Sequence, residues 1–165
     1  LANAALPGDE LVHPMTTRSD IVFSTERSSA IGAVDRTASG RGWCNVTPVV
    51  VEDVPELKVN FFGLWVNRGV VVASFVPSAP RHGVDQPSSL GLLHSRGRLG
   101  VERISELLAG APYVVRQDHS QRGLLLDVPA SESAERVLSV MCTLTAALCD
   151  YESTGDWRLA LYMLN

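Results

Sequence analysis

The stretch "PYVVRQDHSQRGLLLDVP" (Pro112–Pro129) decides how the chain is read. Apolar runs, Tyr113–Val115 and Leu124–Leu126, flank a polar centre, "RQDHSQRG" (Arg116–Gly123). Asp and Ser side chains cap nearby backbone N–H groups, and glycine accepts the positive φ that follows a turn. The pattern predicts an antiparallel hairpin, with strands over 112–118 and 122–129. A rival reading takes Asp118, His119 and Ser120 as reactive groups. Neighbouring residues of a strand or turn point in different directions, whereas a nucleophile and its base must converge in space. The hairpin tip is the better account, a partner-contact loop the next.

Working outward, the segments on either side read as helices. "LGVERISELLAG" (99–110) places Val101, Ile104, Leu107 and Leu108 on one stripe. Gly110 and Pro112 stop it. "SESAERVLSVMCTLTAALCDYE" (131–152) carries its stripe on Val137, Leu138, Met141, Leu144 and Leu148, with Ser131 as the expected N-cap. "STGD" (153–156) turns the chain into a last strand, "WRLALYML" (157–164).

The front of the chain is rich in strand formers. "SDIVFST" (19–25), "WCNVTPVVVED" (43–53), "ELKVNFFGLWV" (56–66) and "VVVASFVP" (70–77) are dominated by β-branched and aromatic residues. Pro48 suggests an edge position for the second of these, and "NRG" (67–69) a hairpin between the last two. Residues 26–42 are small and polar and read as an ordered loop, with room for a short helix over 27–35. Residues 78–98 read as a long connection, punctuated by Pro80 and Pro87, of the kind that is often mobile or functional.

From residue 70 the order is then strand, helix, strand, strand, helix, strand. That is the ferredoxin-like, or split βαβ, arrangement. The fold expected is α+β: an antiparallel sheet with two helices, its C-terminal half ferredoxin-like and extended by N-terminal strands. Residues 1–18 read as an extended arm and 19–165 as a single domain, a size that buries a full core without disulfides.

Composition narrows the function. Hydrophobic residues at 45% and charged residues at 19% are globular proportions. No apolar run approaches the ~20 residues of a membrane helix, so no membrane contact is expected. A net charge of −4 argues against nucleic acid as a partner. The pattern "NFFGLWVN" (60–67) lacks the basic flanks of an RNA-binding strand. Cys44, Cys142 and Cys149 form no disulfide framework, which points to a reducing, cytoplasmic compartment. Secretion stays open, because the chain begins with "LANA" rather than Met. His13, His82, His94 and His119 show no metal spacing, and neither metal nor cofactor is expected.

Two groups of residues carry functional expectations. His94, Arg96 and Arg98 in "LLHSRGRLG" (92–100) precede a helix, and a helix start beside arginines suits a phosphate or carboxylate. His119 is added to that set. Phe61, Phe62 and Trp65 are interface candidates: consecutive Phe61 and Phe62 must point to opposite sides of a strand, so both sides need cover. No catalytic constellation is visible. The leading expectation is a non-enzymatic protein-binding or assembly module, with a protein partner or a homo-oligomer. The alternative is a small enzyme or ligand-binding domain that recognises an anion through the 94–98 loop.

Overall fold

A computed structural model describes residues 16–37, 41–57, 69–78 and 86–164. Phe61, Phe62 and Trp65, and with them the expected hairpin at 67–69, lie outside or at the border of the described residues. So do residues 1–15 of the expected arm. Residues 16–18 belong to the first strand.

Among the described residues, seven strands form one antiparallel sheet. They are β1 (Thr16–Phe23), β2 (Gly42–Val50), β3 (Val72–Val76), β4 (Ser88–Leu93), β5 (Val114–His119), β6 (Gly123–Val128) and β7 (Ser153–Leu164). Their spatial order is β1-β7-β2-β3-β4-β6-β5. Three helices accompany them: α1 (Ser28–Thr37), α2 (Val101–Leu107) and α3 (Ala134–Leu148). Among the described residues no helix is long and apolar enough to cross a membrane.

The strands alternate between two faces, as a pleated backbone requires. Cys44 and Val46, Phe75, Leu90 and Leu92, Leu124 and Leu126, and Leu159 and Leu161 point to one side and are buried. α3 lies on them through Val137, Leu138, Met141, Leu144 and Leu148, the stripe expected from the sequence. α1 packs beside it, and Ile104 of α2 with Leu108 just after it complete the same core. Val101, expected in that stripe, is 69% exposed, because α2 makes only two turns and presents its first one to solvent.

Three expectations are corrected. The first concerns the number of helices, three rather than two. α1 reads as loop in sequence because its buried positions are Ala30, Ala33, Val34 and Thr37. They fall at i, i+3, i+4 and i+7, but such small side chains carry little hydropathy. Their smallness lets the helix lie close to α3 and β2. Its start is held by Glu26, whose carboxylate accepts from the Ser28 N–H at 2.8 Å.

The second concerns the 78–98 connection, which holds strand β4. Leu90 and Leu92 are fully buried between Phe75 and Ala73 of β3 and Leu126 and Leu124 of β6. Ser88, Ser89 and Gly91 hide the strand in sequence, since none favours β structure by itself.

The third concerns strand order. A split βαβ unit built on the 70–77 strand would seat that strand between 157–164 and 122–129. Instead β2 lies between β7 and β3, and β4 between β3 and β6. Pro48 does not mark an edge either. β2 is interior, and Pro48 lies beyond Val46↔Ala73, the last β2–β3 pair, where a missing N–H breaks no ladder. Smaller shifts accompany these. Ser133, not Ser131, caps α3, its Oγ accepting from Arg136 N–H at 3.2 Å. β7 begins at Ser153, inside the segment expected to turn.

Candidate functional site

The 92–100 segment runs from the buried end of β4 to the start of α2. His94 is fully buried, and its Nδ1 accepts the Arg96 N–H at 3.2 Å. Burial pushes its pKa below the ordinary histidine value, against the opposing pull of the Asp118 and Asp150 carboxylates. The unfolded chain takes up this proton near pH ~6.5, the folded chain only at lower pH. Between the two the unfolded state binds more protons, so stability falls as pH drops through that window. Urea midpoints are expected to decline from about pH 7.5 to about pH 5.5, with the decline smaller in His94→Gln. Where a free histidine is half protonated, the His94 ring protons should show a smaller protonated share.

The arginines of this loop do not stand open for a ligand in equal measure. The Arg96 guanidinium is 2.9 Å from the Asp150 carboxylate, and Ser95 Oγ donates to the same carboxylate. Asp150 follows α3, so this contact ties the loop to the end of that helix. Arg98 is exposed. The N-terminus of α2 is capped by Gly100, at φ 73°, without a side chain of its own. In its place Asp118 of β5 accepts from the Leu99 N–H at 3.0 Å and the Gly100 N–H at 2.8 Å. The positive end of the helix meets a carboxylate that the chain itself supplies.

The hairpin tip is equally self-contained. His119 Nδ1 accepts from the backbone N–H groups of Gln121 (3.0 Å) and Arg122 (3.2 Å), closing the turn. Gly123 follows at φ 78°. The Arg116 guanidinium reaches the Asp127 carboxylate at 2.8 Å on the neighbouring strand. From this hairpin Asp118 reaches Leu99 and Gly100, which follow the 94–98 loop. Of the four residues expected to form an anion site, His94 and His119 thus accept backbone N–H groups, Arg96 pairs with Asp150, and Arg98 is exposed.

Cys44 and Cys142 are buried. Burial pushes the Cys44 thiol up to about 12 and the Cys142 thiol to about 11. Among the described residues no three His, Cys, Asp or Glu side chains come together to hold a metal.

The more distinctive surface is the sheet face opposite the helices. Register carries Arg18 of β1, Tyr162 of β7 and Trp43 of β2 into one row. The Trp43 and Tyr162 rings stack at 4.8 Å between centroids and 5° between planes. The Arg18 guanidinium lies 5.5 Å from the Tyr162 ring centroid, within cation–π range. The same face carries Val22 (62% exposed), Val76 (48%), Val114 (63%) and Leu164 (40%). Leu57 covers part of it, packing on Val72 and Leu93.

Nothing in the sequence announces this row. Trp43 and Tyr162 become neighbours only because β7 inserts between β1 and β2, and that insertion is decided far from either residue. The one available signal was an aromatic at each of two strand positions whose neighbours in sequence are apolar. No family model matches the chain, and no curated protein or solved structure is similar to it.

Proposed function

We propose that the chain is a non-enzymatic assembly module: a protein-binding domain that associates with further copies of itself through the helix-free face of its sheet. One observation carries this reading. Among the described residues, all three helices lie against one face, and four of the six most exposed large hydrophobic side chains lie on the other. They span the sheet from β1 to β5. An antiparallel sheet tolerates one wet face, but that face is ordinarily polar. Exposed apolar side chains spread across it, with an aromatic pair and an arginine among them, have the composition of a contact surface.

The charge supports a protein rather than a nucleic-acid partner. The chain is acidic, and Trp43 and Tyr162 turn their rings on each other rather than outward as a platform for bases. The loop at 94–98 gives less support to an anion ligand, because Asp150 already pairs with Arg96 and Asp118 already takes the Leu99 and Gly100 N–H groups at the start of α2.

Sedimentation velocity over a wide concentration range tests the reading. The chain is expected to self-associate. Val76→Glu and Val114→Glu should each weaken that association about tenfold or more, since a carboxylate in an apolar contact loses its water without a partner. Each should leave folding stability within about 0.5 kcal/mol, as befits an exposed position. A chain that stays monomeric throughout, or variants that associate like the wild type, would overturn it.

A further inference from the structure

The two ends of the sheet are built differently. β5 has a register shift between Val115 and Gln117, a bulge that disrupts the ladder at this end. β1 has none. Its eight residues run in unbroken register along β7, from Thr16↔Leu164 to Phe23↔Trp157. Among the described residues, β1 ends the sheet.

Which backbone groups β1 turns outward follows from one hydrogen bond. Leu164 N–H donates to Arg41 O on the β2 side at 2.7 Å. Backbone groups alternate sides along a strand, so the even-numbered residues of β7 face β2 and the odd-numbered ones face β1. Thr17, Ser19, Ile21 and Phe23, which sit opposite odd residues, use their backbone groups on β7. Thr16, Arg18, Asp20 and Val22 direct theirs out of the sheet.

We propose that β1 pairs antiparallel with β1 of a second copy, in the single register centred on Ser19, to make one continuous sheet across the dimer. This rests on the assembly reading above, names a second copy as the partner, and adds an edge contact distinct from the sheet-face one. The outward groups must meet other outward groups, so only registers that place an even residue opposite an even one form the ladder. Centred on Arg18, the pairing sets two arginines against each other. Centred on Asp20, it opposes two carboxylates. Centred on Ser19, it sets Arg18 opposite Asp20 of the second copy, and Asp20 opposite its Arg18. Thr16 then meets Val22, and Thr17 meets Ile21. These are β-branched pairs, which suit cross-strand contact.

The strand's charges are thus self-complementary in that register and repulsive in its neighbours. Arg18 and Asp20 are about half exposed and lie 3.0 Å apart along the strand, on the face that carries Tyr162. Exposed ion pairs contribute little affinity. Here they select the register, while about eight backbone hydrogen bonds hold the strands together. The contact is two-fold and uses the same strand on both copies, so it closes at the dimer. It also extends the helix-free faces of both copies into one surface.

Cysteine cross-linking reads the register directly. Ser19 would face itself as a non-hydrogen-bonded pair, with Cα atoms about 4.5 Å apart, within the span of a disulfide. Ser19→Cys is therefore expected to cross-link in the majority of molecules under mild oxidation. Thr17→Cys alone and Ile21→Cys alone should stay at the wild-type background, their like positions being offset by about 13 Å. Mixed together, those two variants should cross-link with each other.

Charge reversal gives an independent reading. Asp20→Arg is expected to raise the dimer Kd about tenfold, and adding Arg18→Asp should bring it back to within about threefold of wild type. If the wild type self-associates but Ser19→Cys stays at background and charge reversal is without effect, the β1 pairing is wrong and the sheet-face reading stands. If the wild type does not self-associate at any concentration, both fall.

Discussion

Gly123→Ala is expected to cost about 3 kcal/mol or more of folding stability, a large share of what a domain of this size possesses. Two penalties combine. The residue sits at φ 78°, where a side chain is strained. A Cβ built there would also lie 2.1 Å from the Leu92 carbonyl oxygen of β4. That atom is backbone in the middle of the sheet and cannot swing away. Either β6 withdraws from β4 or the turn reopens, and both disturb the strands that bury Leu92 and Leu124. Gly97→Ala separates the two penalties: at φ 70° it has nothing within 4 Å of the new Cβ, so only the torsional cost of about 1 kcal/mol remains. Urea denaturation of both variants makes the comparison. Equal losses would show that the close approach of β4 to the turn does not restrain the sheet.

Asp118→Ala is expected to cost about 2 kcal/mol, because it strips two charge-assisted hydrogen bonds from the start of α2. Leu99 and Gly100 would then depend on water for their N–H groups, which moderates the loss. Asp118→Asn, which keeps an acceptor but not the charge, should recover about half of it. The damage should be local. Amide exchange is expected to rise across 95–107, where Asp118 is the link to β5, and to stay unchanged in β2 and β7. A rise spread evenly over the chain would mean that Asp118 supports the whole fold rather than one loop.

The same residue shows where sequence reading succeeds and where it stops. Asp118, His119 and Gly123 were legible as parts of a hairpin because turn chemistry is local: it concerns backbone groups within a few residues. His119 closing on the Gln121 and Arg122 N–H groups is of that kind. That Asp118 also caps α2 is not, since the bond crosses 18 residues and depends on β5 lying beside the 95–100 loop. The arginines of "HSRGRLG" suggest an anion from outside because Asp150, which pairs with Arg96, and Asp118, which takes the Leu99 and Gly100 N–H groups, are far away in sequence.

The fold divides along the same line. α3 was readable because Val137, Leu138, Met141, Leu144 and Leu148 are large and regularly spaced. α1 was not, because Ala30, Ala33 and Thr37 carry the same spacing with little hydropathy. β4 was hidden for a related reason: two leucines set among serines and glycine look like loop until Phe75 and Leu126 close over them.

By itself, then, the sequence determined the α+β class, the hairpin at 112–129, the long C-terminal helix and the last strand. Each of these follows from short-range periodicity or turn chemistry. Only the tertiary structure decided the strand order, the ordering of α1 and β4, the pairing of Arg96 with Asp150, and the row of Arg18, Tyr162 and Trp43. All four depend on β7 inserting between β1 and β2 and on β4 inserting between β3 and β6. Such choices are set by how whole faces pack, and no single segment encodes them.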